Sequence, residues 1–171
     1  MLSSLSGCLG LLQARETIEN MRDPVELISY PDKVNMLHTF TTISVQPYTN
    51  FTSFPVDDSV ESISVYFKVS FFGSDTISCF DETLTKPARY IQAQITSTSG
   101  EVLWSQDVCK DTDEVAYMEP EPLFEEGDWE LTVESRGWGE TTAAVAQDNF
   151  IIIVTINRVC QQYPLEPPCN K

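Results

Sequence analysis

Within the stretch Val60–Phe72, every second residue from Ile63 to Phe71 is apolar. Ile63, Val65, Phe67, Val69 and Phe71 fall on one side of an extended chain, and Ser62, Ser64, Tyr66, Lys68 and Ser70 fall on the other. A period of two sustained this long describes a strand with one dry and one wet face, and a helix cannot satisfy it. The dry face needs a cover, and the chain carries several matching segments. Trp129, Leu131 and Val133 alternate with Asp128, Glu130, Thr132 and Glu134 just after Gly127. Residues 90–97 alternate again. Ser97-Thr98-Ser99-Gly100 then turns the chain into residues 101–106, a hairpin in which Gly100 supplies the positive φ.

Other segments read less regularly. Val25–Tyr30 reads as a first strand stopped by Pro31-Asp32, and Thr39–Val45, rich in β-branched residues, as a second closed by Pro47. The stretch from Tyr48 to Asp58 reads as a loop, and Thr76–Phe80 as a short strand. Asp107–Pro122 reads as a strand end followed by an acidic loop. Residues 147–159 contain the unbroken run Phe150–Ile156, which predicts a central strand covered on both faces. Leu11–Met21 permits a short helix ended by Pro24.

The expectation is an all-β, antiparallel β-sandwich, jelly-roll-like, of seven or eight strands, with a short N-terminal helix or arm. At 171 residues and 42% hydrophobic content, one core is the natural outcome. The expected division is an N-terminal segment 1–34, a sandwich 35–160 and a Pro-rich tail 161–171.

Charge narrows the partners. Ten Lys+Arg against 26 Asp+Glu give a formal charge of −16. Such a surface repels phosphate backbones and anionic headgroups, so nucleic acid is excluded as a partner. It suits divalent cations or basic partners, and it also keeps a secreted protein soluble.

Five cysteines are present: Cys8, Cys79, Cys109, Cys160 and Cys169. The last four make an even set. We favour pairing Cys79 with Cys109, and Cys160 with Cys169 across the Pro-rich loop between them, although four cysteines permit three connectivities. No Cys-x-x-Cys occurs and the single histidine, His38, is remote, which argues against zinc. Two disulfides imply an oxidising, extracytoplasmic compartment.

Cys8 is left over. Leu5-Ser6-Gly7-Cys8 resembles a lipobox, the cleavage box of prokaryotic lipoproteins. The resemblance implies export, lipid attached at Cys8 and a membrane tether. The sequence departs from that pattern in having seven residues before Cys8, none of them basic. A late start, a trimmed chain and a chance match all stay open.

The hairpin Ile95–Trp104, followed by Glu126-Gly127-Asp128-Trp129-Glu130-Leu131-Thr132-Val133 and a terminal strand, resembles the small jelly-roll modules known as P-domain-like, GOLD or CUB-like extracellular domains. It spans residues 91–159. The resemblance implies the fold, and a non-catalytic binding or stabilising role.

Candidate site residues follow. Asn50-Phe51-Thr52 is an Asn-x-Thr sequon, which makes Asn50 a glycosylation candidate. Asp111, Asp113 and Glu114 on one expected loop, with Glu125, Glu126 and Asp128, offer a set of oxygens for calcium, the one cofactor the sequence suggests. The competing reading is solvated turn carboxylates. Trp138, set between Gly137 and Gly139, reads either as a binding tip or as a lid over the sandwich end. Tyr48, Phe51 and Phe54 join it as candidates for stacking on a sugar ring. A Ser–His–acid site would need His38, and no nucleophile setting accompanies it. The sequence therefore points to a non-catalytic exported surface protein, a binding or structural sandwich whose partner is a protein or a surface glycan. The alternatives are a carbohydrate-binding module and a subunit that docks in a larger assembly through its N-terminal arm.

Overall fold

The computed structural model describes residues 15, 17–18, 24–43, 46–73, 88–121, 123–140 and 146–163. Eight strands occupy most of them: β1 Glu26–Thr39, β2 Tyr48–Val56, β3 Val60–Ser70, β4 Tyr90–Thr96, β5 Val102–Val108, β6 Thr112–Met118, β7 Gly127–Arg136 and β8 Asn149–Gln162. They form two four-stranded sheets, ordered β1-β8-β3-β6 and β2-β7-β4-β5. The resolved pairings are antiparallel. This is the two-sheet, eight-strand order of a jelly roll, so the expected fold class is the observed one.

The chain divides into two compact units. One is Pro31–Arg158; the other joins Met1–Tyr30 to Val159–Lys171. The first unit holds the core. Ile63, Val65 and Phe67 of β3, Phe150, Ile152, Val154 and Ile156 of β8, Ile91 and Ile95 of β4 and Leu131 of β7 are fully buried. Each set occupies alternate positions of its strand, as the period of two requires. In the second unit the described residues are chiefly the strand ends Glu26–Tyr30 and Val159–Gln162. Among the described residues no helix is long and apolar enough to cross a membrane.

Several expectations need correcting. Pro31 does not stop the first strand: β1 runs from Glu26 to Thr39, and Thr41–Ile43 lies beyond it. The expected Tyr48–Asp58 loop is strand β2, with Pro55 inside it. Both prolines sit in edge strands, where half of the backbone N–H positions face away from the sheet and proline is tolerated. The acidic stretch after Asp107 contains a further edge strand, β6. β8 is central, but only one of its faces is buried; Ile151 is 36% exposed on the other. The expected helix over residues 11–21, apart from helical Arg15, Thr17 and Ile18, and the Thr76–Phe80 strand lie outside the described residues.

One end of the sandwich is closed by a buried ion pair. Arg89 and Asp148 are 2% and 0% exposed. The Asp148 carboxylate accepts from Arg89 Nε at 2.8 Å, from Arg89 Nη2, from the Phe72 N–H at 2.9 Å and from the Trp138 N–H at 2.6 Å. Arg89 also donates to the Phe72 carbonyl at 2.9 Å. Its guanidinium lies over the rings of both Phe71 and Trp138, 5.2 and 5.0 Å from their centroids. The backbone joins in: the Asp148 N–H donates to the Trp138 carbonyl at 2.8 Å, and the Phe40 N–H to the Asp148 carbonyl at 2.9 Å. At the opposite end of β8, Arg158 donates to Asp57 at 2.8 Å and to the Pro55 carbonyl, tying β8 to the turn between β2 and β3.

Removing one partner of a buried pair strands the other charge. Asp148→Ala is therefore expected to destabilise the fold by about 3–5 kcal/mol, read from the urea unfolding midpoint. The double variant R89M/D148L should lose clearly less than the sum of the two single losses.

Candidate functional site

Strand pairing places two polar rows on the outer face of the β2-β7-β4-β5 sheet. Thr49, Glu134, Gln92 and Asp107 lie side by side across the four strands, and so do Phe51, Thr132, Gln94 and Ser105. The core residues Leu131, Val133, Ala93 and Ile95 alternate with them and point the other way. The rows line an open groove of about 660 Å3, to which Glu130 also contributes.

The groove's side chains are held in place. Gln92 Nε2 donates to Asp107 Oδ2 at 2.9 Å, which links β4 to β5. The Tyr90 hydroxyl donates to Glu134 at 2.7 Å. Burial, and then this carboxylate, push the Tyr90 pKa up to about 12, so the hydroxyl keeps its proton across the physiological range. On this face Asp107, Asp128, Glu130 and Glu134 oppose Arg136, four negative charges against one positive. The groove is therefore acidic, rich in amide and hydroxyl groups, and edged by one ring, Phe51, which is 68% exposed.

The expected aromatic set does not assemble. Phe54 is a core residue, 2% exposed and packed against Trp129 at 6.3 Å, so it cannot meet a ligand. It lies three residues from Phe51, and an odd spacing in a strand puts the two rings on opposite faces. Tyr48 faces inward and stacks on His38 at 3.8 Å. Trp138 is half-buried against Arg89, which is the lid geometry and not that of a free tip. Its flanking glycines serve packing: a methyl at Gly137 would overlap the Phe40 ring, and one at Gly139 the Phe40 carbonyl. Trp129 is in the core and its indole N–H donates to the Glu125 carbonyl at 2.9 Å.

The expected calcium set is dispersed. Asp111 accepts the Phe71 N–H at 2.7 Å. Asp113 and Glu114 are neighbours on β6, so they point to opposite faces, and Asp113 pairs with Lys68 at 3.3 Å. Glu125 accepts from Ser99 at 2.8 Å; hydrogen bonds from Ser97 and Ser99 hold its carboxyl below the usual range. Asp128 lies on the other sheet, in β7, and Glu126 just precedes that strand. Among the described residues no group of three His, Cys, Asp or Glu could hold a metal ion.

Asn50 is exposed on edge strand β2 rather than in a loop. Its amide donates to the Tyr48 hydroxyl at 3.1 Å. Cys109 and Cys160 are each disulfide-bonded. Cys8, Cys79 and Cys169 lie outside the described residues. The groove residues Gln92, Gln94, Thr132 and Glu134 were not singled out by sequence reasoning. Their only signal is that they are the wet positions of strands recognised by their dry ones.

No family model and no curated protein matches this chain. Among solved structures it is similar to a protein of Bacillus endospore appendages, described as disulfide-linked pili, at 9% identity over 80% of this chain and 91% of that one, TM-score 0.36. It is similar to the decameric BFDV capsid protein at 7% identity over 80% and 100%, TM-score 0.35. A third likeness is to a carbohydrate-binding module of the β-sandwich superfamily, at 12% identity over 78% and 56%, TM-score 0.29. At these values the likenesses carry no argument about function.

Phe54→Ala should cost about 3–5 kcal/mol, whereas Phe51→Ala, at an exposed position, should stay within about 0.5 kcal/mol; paired urea titrations separate them. Burial lowers the pKa of His38. Folding therefore favours its neutral form, and that stability is complete above the unfolded value near 6.5 and is lost as pH falls towards the folded value. The melting temperature should drop on acidification from neutral into this window, and His38→Phe should flatten that part of the profile.

Proposed function

We propose that this chain is a non-catalytic binding β-sandwich working outside the cytoplasm, and that its ligand is a neutral glycan held in the groove across β2, β7, β4 and β5. The observation that carries the reading is the groove itself. It is the kind of concavity in which ligands settle, and amides, hydroxyls and carboxylates converge on it from all four strands. Those groups match the vicinal hydroxyls of a pyranose, each of which can donate and accept. Phe51 adds one apolar plane for a sugar's C–H face. The excess of carboxylates disfavours anionic polysaccharides.

The acids do not suit hydrolysis. Glu130 and Glu134 are four residues apart on one strand, roughly 13 Å at strand rise, which exceeds the separation of a glycosidase pair. Asp107 and Glu134 are each tied to a neighbour. The disulfide-bonded state of Cys109 and Cys160 supports an oxidising compartment. Lipid on Cys8 and a glycan on Asn50 belong to the same proposal. The second reading, a subunit docking through its N-terminal arm, is favoured by Leu27, 69% exposed on edge strand β1.

Calorimetric titration with neutral β-linked and α-linked oligosaccharides tests the proposal, using protein without a glycan on Asn50, which borders the groove. Gln94→Ala and Thr132→Ala should each weaken binding by roughly 2–10-fold, the net worth of one hydrogen bond, with the melting temperature unchanged. Binding unaffected by both, or no binding to any neutral oligosaccharide, sinks the glycan reading. New reducing ends released from the ligand would sink the non-catalytic one.

A further inference from the structure

The outer face of the other sheet has the opposite chemistry. Ile153, Tyr66 and Val115 stand in register across β8, β3 and β6. Beside that row, Thr155, Ser64 and Tyr117 form a second, and Ile151, Lys68 and Asp113 a third. Val115 is 49% and Tyr117 77% exposed, and Leu37 on β1 is 67% exposed. At the centre of β8 the outer positions Ile151 and Ile153 are thus aliphatic like the inner ones, a pattern suited to a strand covered on both sides there. The described chain covers only one.

This face is also close to neutral. Among the described residues its strands carry Lys33 and Lys68 against Glu61 and Asp113, two positive charges against two negative, and Lys68 and Asp113 pair at 3.3 Å. In a chain of net charge −16 that is a sharp exception. A basic partner would be drawn to carboxylates and would prefer the groove face. A partly apolar face whose few charges balance is what two copies of a strongly acidic chain need in order to meet, because elsewhere like charges oppose their approach.

We propose that the outer face of β1-β8-β3-β6 is the contact between two copies of this chain, packed sheet to sheet about a two-fold axis. Such a contact is isologous, the same patch serving both subunits. Four strands at about 4.8 Å and some six residues at about 3.3 Å give a face of about 19 by 20 Å. That is smaller than the roughly 800 Å2 per partner of a standard stable interface, so the dimer is reversible and depends on concentration.

Sedimentation velocity on the full chain, over a concentration series at low and high sodium chloride, tests this. The expected result is a monomer–dimer equilibrium in which added salt raises the dimer fraction, because screening relieves the mutual repulsion of the acidic chains. Val115→Glu, at an exposed edge position that tolerates a polar side chain, should weaken the dimer at least tenfold. Phe51→Glu, on the groove face, should leave it unchanged. A melting curve for each variant confirms that the fold is retained, and Ile151→Lys is the second variant should Val115→Glu unfold. A monomer at every concentration and salt, a dimer untouched by Val115→Glu and Ile151→Lys, or one broken equally by Phe51→Glu would each overturn the proposal. Hydroxyl-radical labelling showing the Tyr117 side chain shielded in the dilute monomer would also overturn it, because a segment of the same chain would then be the cover. Oligosaccharide titration of the Val115→Glu monomer reads the groove separately, so the two proposals fail independently.

Discussion

The Arg89–Asp148 pair is the interaction on which the sandwich end depends. A jelly roll leaves several chain ends at each mouth of the sandwich, and their backbone groups have no ladder to join. Asp148 solves this at one mouth by accepting four hydrogen bonds and placing its own amide and carbonyl in two more. It gathers the end of β1 through Phe40, the chain after β3 through Phe72, the start of β4 through Arg89 and the chain after β7 through Trp138. Burying the pair removes two ions from water, a cost repaid only when the geometry is good and the remaining lone pairs are filled. Here they are filled by backbone donors, so the charge that closes the ion pair also satisfies the strand ends. Trp138 follows from this. Its ring covers the guanidinium, and Gly137 and Gly139 are small because the Phe40 segment passes against them.

How much of this was legible beforehand divides along physical lines. Strands that bury one face against water on the other announced themselves, as β3, β4, β5 and β7 did. The edge strands did not. β1 contains Pro31, which reads as a stop, and β2 contains Pro55 within a stretch that reads as a loop, because a central strand would not tolerate proline. β6 is half-exposed on both sides, so Asp113 and Glu114 dilute its alternation. Misreading β6 as a loop is what suggested the calcium cage, since only a loop lets neighbouring carboxylates converge. The Arg89–Asp148 pair spans 59 residues and carries no local signature. Phe51 and Phe54 show the same limit at finer grain. Both are aromatic, and strand parity, fixed only once Thr52 is seen opposite Leu131, decides which is core and which is surface.

The two outer faces share a scaffold but not a chemistry. Folding constrains the inward positions, because those fill the core. It leaves the outward positions almost free, and their composition therefore reflects other demands. One face gathers amides, hydroxyls and carboxylates; the other gathers Tyr66, Tyr117, Val115, Ile151 and Ile153. Solubility alone would have made both acidic, given how readily this chain uses Asp and Glu.

With the apolar faces joined, the two grooves lie on opposite outsides of the dimer. Successive sheets pack about 10 Å apart, so four sheets in a stack place the groove faces about 30 Å from each other and turned away. Such a dimer cannot close both grooves on one stretch of glycan. It would bridge two separate chains, and gains in apparent affinity would appear only on a surface or polymer dense enough to engage both sides at once. Because the interface is small, that bridging would also track the local concentration of protein, so the same molecule would bind singly when dilute and cross-link when crowded on a surface.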